Sequence, residues 1–174
     1  VTVDEFLASI AAGETHFPAL ELAFESITQA SLRHLKLPGA KWFKMDARGI
    51  DLSWSIMRNA VLVSVDLGGA HLFRLQLDGA RLEAVNLSGA NLHAASLEGA
   101  TMMQLALRAT QLRGANLRRA NLRGANLQGA DLSHADLRGA DLTGANLAEA
   151  TVTATSLEGA NLTRATLDGL RRTA

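Results

Sequence analysis

Leucine returns at every fifth residue from Leu112 to Leu147, and from Leu117 on each is preceded by Ala-Asn or Ala-Asp, as in Ala115-Asn116-Leu117 and Ala130-Asp131-Leu132. A period of five suits neither regular element. On a helix five residues advance about 500°, so the leucines would wander around the axis. On a flat strand an odd period throws alternate leucines onto opposite faces. The backbone must therefore turn within each unit, so that every leucine points at one common axis. That is a solenoid.

The phase continues without a slip from Phe17 to Leu167, which makes 31 units. The centre of each unit is apolar: 24 leucines, with Phe17, Ile27, Trp42, Ala47, Met57, Met102 and Val152 at the rest. Two positions earlier sits alanine in 18 of the 31 units, which marks a second and tighter interior position. Of the 15 glycines, 13 lie two positions after the centre, where a turn wants positive φ. Arg119, His134 and Glu149 hold that place in other units. The expectation is a mixture of glycine-favouring type II turns and more tolerant type I turns.

Residues Thr2 to Gly13 read as a short helix, opened by a capping box at Thr2-Val3-Asp4-Glu5 and apolar along Phe6, Leu7, Ile10 and Ala11. Too short to stand alone, it needs apolar ground beneath it, and the open end of a solenoid supplies that.

Units such as Ala125-Asn126-Leu127-Gln128-Gly129 and Ala140-Asp141-Leu142-Thr143-Gly144 resemble the pentapeptide-repeat family over nearly the whole chain. The resemblance implies an all-β fold, the family's right-handed quadrilateral parallel β-helix, with four units per square coil and leucine and alanine stacked inside. Thirty-one units then make nearly eight coils, a rod of about 40 Å at a strand spacing of about 4.8 Å. The opening, Glu5-Phe6-Leu7 to Ala12-Gly13-Glu14 and then Phe17, is similar to the N-terminal cap of cyanobacterial members. The expected divisions are a capping helix over 1–14, the β-helix over 15–170 and a tail over 171–174.

The first half departs from the pattern. Leu20, Leu35, Met45, Ile50, Val65, Leu75, Val85 and Leu105 put bulk where alanine would sit, and Ala106 and Thr110 are out of pattern. Trp42 followed by Ala47 on one coil suggests that large and small side chains trade volume. Glu25 falls at an interior position, where an unpaired carboxylate is costly. Pro18 to Leu35 also admits a second reading, a helix with Leu20, Phe24, Ile27 and Ser31 on one side.

With twenty residues per coil, positions twenty apart stack on one face. The column Arg58, Asp78, Glu98, Arg118, Arg138, Glu158 contains opposite-sign neighbours and compensates much of its own charge. The run Arg108, Arg113, Arg118, Arg119, Arg123 spreads around the rod as a girdle, and without interleaved aromatic residues nucleic-acid binding is not expected. The 17 basic and 17 acidic residues balance, so no global field favours nucleic acid or an anionic membrane. Without cysteine there is neither a disulfide nor a thiolate metal site. His34, His71, His93 and His134 share a face but lack the convergence a metal site needs. No cofactor or metal is expected. Asn116, Asn121, Asn126, Asp131, Asp136 and Asp141 recur too regularly for catalysis, and read instead as side chains bonding local backbone in stacked ladders. No nucleophile–base grouping or phosphate loop stands out, and a Leu/Ala interior leaves no obvious pocket, so an enzyme is not expected.

Apolar residues at nominally outward positions carry more weight: Phe43, Trp54, Ile56, Val61, Val63, Phe73 and Met103. They mark a partner surface or ground covered by the cap helix, with Trp54 and Phe73 the best anchors. The leading expectation is a non-enzymatic scaffold for protein interaction. The alternative comes from the resemblance: some members mimic DNA, bind gyrase and confer fluoroquinolone resistance. That mimicry needs a strongly negative rod. The last coil could also stack on a second copy, an end-to-end homodimer that hides its edge. No apolar run approaches the roughly 20 residues of a membrane span, and the start lacks a secretory signal, so a cytoplasmic location is the default.

Overall fold

The computed structural model describes residues 1–172; Thr173 and Ala174, the end of the expected tail, lie outside the described residues. Parallel bridges join each rung to the residue twenty further on, from His16–Lys36 through Asn116–Asp136 to Thr151–Arg171, the last one residue beyond the expected boundary. Twenty residues therefore make one coil of four five-residue sides.

The unit around Leu117 shows why Ala-Asn-Leu-x-x builds such a side. Asn116 N–H donates to Ala95 O in the coil before (2.9 Å). Leu117 N–H and Arg119 N–H donate to Asp136 O and Arg138 O in the coil after (2.8 and 3.0 Å). Ala120 N–H closes the corner on Leu117 O (3.1 Å). The remaining amide, Arg118 N–H, donates to the Asn116 side chain (3.1 Å). Every amide has an acceptor, as a buried backbone requires. The same side-chain bond recurs at Asp131, Asp141 and Asn146, and amides also stack, as Asn146 does on Asn126 (3.4 Å). The expected ladder role of these residues is what the geometry shows.

The turn expectation needs correction. All 31 residues two positions after the centre have positive φ, from 50° at Lys44 to 68° at Gly139 and Gly159, and 18 of them are not glycine. A type I turn would place that residue near −90°. Stacking decides instead: this amide must aim at the next coil, as Arg119 does, so the backbone is left-handed whatever the side chain.

Inside, the central residues form the core, with Leu37, Leu77, Leu97 and Leu127 fully buried, and inner alanines such as Ala95 and Ala125 are buried with them. Each such leucine contributes roughly 1.5–3 kcal/mol of burial. Trp42 and Ala47, on one coil, are both wholly buried, in line with the expected exchange of volume.

One corner is wider. Its inner column reads Glu25, Met45, Val65, Val85, Leu105 and only then Ala125 and Ala145. Below Ala125 lie β1 (Glu21–Ala23), β2 (Lys41–Phe43), β3 (Val61–Val63) and β4 (Arg81–Glu83), a parallel sheet in that order. Their last residues also pair, Ala23 with Phe43, Phe43 with Val63 and Val63 with Glu83. Extended backbone there leaves room for the bulk inside. Where the column turns to alanine the corner tightens, and Ala125 N–H reaches Leu122 O (3.0 Å).

Three hydroxyls at inner positions bond the coil below. Ser55 donates to Leu32 O (2.8 Å) and accepts from Leu35 N–H (3.0 Å), bridging a corner of the coil below. Thr110 and Thr155 donate to Leu87 O and Leu132 O (3.0 and 2.8 Å).

The cap is α1 (Val3–Ala11), opened by the capping box of Thr2 and Glu5. Val3 and Phe6 are its buried residues, and Phe6 meets Phe17 edge-on at 4.8 Å. Ala11, expected on the apolar face, is exposed. Residues 18–35 form coil, not a second helix: Ser26 and Ser31 bridge to Asp46 and Asp51. Glu25 is half-buried rather than stranded, since its Oε2 accepts from Val3 N–H (3.0 Å). A carboxylate at the first free amide of a helix also meets the positive end of its dipole. Glu25 thus fastens the cap to the coil.

Candidate interaction faces

The square section sorts outward side chains onto four faces. Taking one coil as the key, the first face holds 61–64, the second 66–69, the third 71–74 and the fourth 76–79. The apolar residues singled out from sequence do not form one patch. Phe43, Val61, Val63 and Met103 lie on the first face, over the small sheet, while Trp54 and Phe73 lie on the opposite, third face. Ile56 stands on the fourth face, directly below Gln76.

The first face gains Phe24, an aromatic residue at a turn position that is 73% exposed, with Lys44 Nζ 5.2 Å from its ring. Its charges pair locally: Lys41 with Glu21 (3.8 Å) and Arg81 with Glu83 (2.8 Å).

On the third face rings climb the rod without a break. His34 stacks on Trp54 (6.1 Å, 17°), Trp54 meets Phe73 edge-on (5.4 Å, 74°), and Phe73 stacks on His93 (5.5 Å, 21°). The Arg74 guanidinium lies 4.5 Å from the Trp54 ring and 5.5 Å from Phe73. Spacing twenty or nineteen apart at 34, 54, 73 and 93 was the sequence signal for this ladder. The acidic residue of these coils, Asp51, is held by Arg33 (3.6 Å) and by Ser53 N–H (2.9 Å). Neither Arg74 nor Arg113 is ion-paired among the described residues.

Where the third and fourth faces meet, Trp54, Arg58, Arg74, Gln76, Asp78, Ala94 and Ser96 line an open hollow of about 340 Å³. Arg58 pairs with Asp78 (3.4 Å), which also accepts from Ser96 Oγ and from Glu98 N–H. Gln76 Oε1 is buried with no hydrogen-bond partner among the described residues.

Farther up the fourth face, Arg118 reaches Glu98 (3.9 Å), and Arg138 Nε donates to Asp136 (2.8 Å). That bond from Arg138, with one from its own backbone, holds the Asp136 carboxyl at about 2. The column therefore compensates much of its own charge through Arg58–Asp78 and Arg118–Glu98, while Arg138 pairs with Asp136 in its own coil. The arginine girdle spreads as expected, with Arg108, Arg113, Arg118 and Arg123 on the second, third, fourth and first faces. The four histidines share the third face, but among the described residues no three His, Cys, Asp or Glu converge as metal ligands. No described helix is long and apolar enough to cross a membrane.

Against known proteins, the chain is similar over 98% of its length to 96% of HetL, a pentapeptide repeat protein involved in heterocyst differentiation regulation from the cyanobacterium Nostoc sp. strain PCC 7120, at 30% identity and a TM-score of 0.36. It is similar to trypsin-treated QnrB1, a plasmid-mediated fluoroquinolone resistance protein, at 20% identity over 92% of both chains, with a TM-score of 0.45. A pentapeptide repeat protein of the Arabidopsis thaliana thylakoid lumen shares 33% identity over 52% of this chain and 59% of its own, with a TM-score of 0.33. No curated protein gives a significant match. The family model for pentapeptide repeats matches residues 66–104, 107–144 and 145–171, more than half of the chain. With twenty-residue coils and this repeat, the chain belongs to the pentapeptide repeat family and has its right-handed quadrilateral β-helix.

Proposed function

We propose that the protein is a non-enzymatic interaction scaffold, acting in the cytoplasm, whose backbone is fixed so that its faces present side chains to a protein partner. The observation that carries this reading is the Trp54–Phe73 pair. Two large rings stand on the outside of a rod whose interior is already full, Trp54 40% exposed and held by His34 and Arg74, Phe73 held by His93. Aromatic and arginine side chains held in one place are the usual anchors of protein interfaces. Affinity capture from extract of the source organism, comparing wild type with Trp54→Ala/Phe73→Ala, tests it. Loss of at least one partner is expected; equal recovery of every partner ends the idea.

Gyrase mimicry draws no support from the surface. The charge is balanced overall, and the third and fourth faces carry a basic surplus where mimicry needs acid. Stoichiometric protein is expected to leave gyrase supercoiling unchanged. An end-to-end homodimer belongs to the proposal as well, because Leu167 on the last coil is 42% exposed and Leu157 and Leu162 are only partly covered. Light scattering at twice 18.4 kDa supports it, and a monomer mass removes it.

A further inference from the structure

Six of the seven outward apolar residues divide between two opposite faces, with Ile56 alone on the fourth, and the charges around them differ. Over the coils up to 119, the third face sets Arg33, Arg74 and Arg113 against Asp51. The fourth sets Lys36, Arg58, Arg118 and Arg119 against Asp78 and Glu98. The second face is balanced, Arg48 and Arg108 against Asp46 and Asp66, and the first nearly so. The corner joining the third and fourth faces is thus the basic edge of the rod, and it is also where the ring ladder and the open hollow lie.

We propose that this corner, between Arg33 and Arg113, binds an extended acidic peptide segment of a partner protein. The proposal rests on the scaffold reading above and names the chemistry of its partner. Arg74 carries the recognition. Its guanidinium already lies against Trp54 and Phe73, so little freedom is left to lose, and its edge remains available for a bidentate carboxylate. Arg113, exposed and without an ion pair among the described residues, offers a second carboxylate site. An apolar residue on the Arg33 side of the first carboxylate rests on the exposed edge of Trp54.

The ring ladder favours a peptide over a nucleic-acid strand, because it gives bases little platform. His34 stacks on Trp54 and Arg74 lies over it, while His93 stacks on Phe73. Base binding needs open ring faces. From the coil of Arg33 to that of Arg113 is four coil steps, about 19 Å at about 4.8 Å each, which an extended peptide spans in roughly six residues.

Fluorescence anisotropy on the full chain tests this with labelled octapeptides that alternate leucine with glutamate, serine or lysine, and with a thymidine octamer. The glutamate peptide is expected to bind at least ten-fold tighter than the serine peptide and to shift Trp54 emission. Arg74→Glu/Arg113→Glu should weaken it at least ten-fold and transfer preference to the lysine peptide. Arg81→Glu on the first face should change neither affinity. All three arginines are exposed, so folding should survive, and an unchanged circular dichroism spectrum checks it. Equal binding of glutamate and serine peptides overturns the proposal, as does indifference to the double charge reversal. Tighter binding of the thymidine octamer, lost in the same variant, would assign the corner to single-stranded nucleic acid. If no peptide binds while Trp54→Ala/Phe73→Ala still loses a partner from extract, the acidic segment is wrong and the scaffold stands.

Discussion

The stretch from 66 to 171, matched by the family model in three blocks, and the stretch from 17 to 65, which is not matched, build the same coil from different materials. In the later coils alanine fills the inner position, as at Ala115, Ala120, Ala125 and Ala130, and Asn or Asp takes the spare amide. In the earlier ones Leu20, Leu35, Met45 and Ile50 fill it, and the outward positions carry Phe24, Phe43, Trp54 and Ile56. Yet His16–Lys36 and Ser31–Asp51 bridge at the same interval of twenty as Asn116–Asp136. The difference teaches that inter-coil hydrogen bonding sets the shape, and side-chain volume is then fitted to it, by a wider corner where bulk requires one. Freed from the strict repeat, the early coils carry Phe24, Phe43 and Trp54, and the ring ladder runs on from Trp54 to Phe73 and His93 in the first matched block.

The comparison can be broken most forcefully at Trp42. Trp42→Ala empties the largest filled site of the early core and should cost about 3–5 kcal/mol in denaturant unfolding. A loss below 1 kcal/mol would mean that the early coils are not tightly packed. The corner column offers a sharper test. Ala125→Met inserts into the tight corner the side chain that Met45 carries in the open one, and should cost about 1–3 kcal/mol. A neutral result would show that all corners open alike. Ser55→Ala removes the hydroxyl bridging Leu32 O and Leu35 N–H, leaving both groups buried and unpaired. About 1–3 kcal/mol should be lost, whereas Ser133→Ala, away from any such bridge, should stay within about 0.5 kcal/mol.

The smallest effect is electrostatic and sits in the late coils. Arg138 holds Asp136 at about 2, below the ordinary value of 3.8. A depressed carboxylate contributes stability that is present above pH 4 and is lost as pH falls through the folded value. Acid unfolding of wild type should therefore steepen between about pH 4 and pH 2, and Arg138→Gln should flatten that slope. An unchanged slope would assign the acid sensitivity to other carboxylates.

Much of this was legible in the residues. Period five yields a solenoid, the family resemblance implies four units per coil and so the faces, and Thr2-Val3-Asp4-Glu5 announces the cap. The turn conformation was not, because Arg119 and His134 have no intrinsic taste for positive φ and only the coil above imposes it. Glu25 read as a burden, since its partner, the Val3 amide, belongs to a helix 22 residues away. The outward apolar residues were visible one by one, but grouping them needed their columns. Phe43 and Trp54 are close in the chain and on opposite faces. The stacking of Arg74 on the rings has no sequence period of its own, and Phe24 was hidden among residues that also suited a helix.

The interval of twenty is set against the least regular sequence in the early coils, and the absence of native cysteine makes it directly measurable there. Ser26→Cys/Asp46→Cys places two thiols on adjacent rungs of one face, at a backbone separation of about 4.8 Å that suits a disulfide. Ser26→Cys/Lys36→Cys places them ten residues apart on opposite faces. Under mild oxidation the first pair should close within the monomer and the second should stay reduced. Closure of the second pair, with the first left open, would contradict a square coil over residues 17–65 and with it every face assigned above.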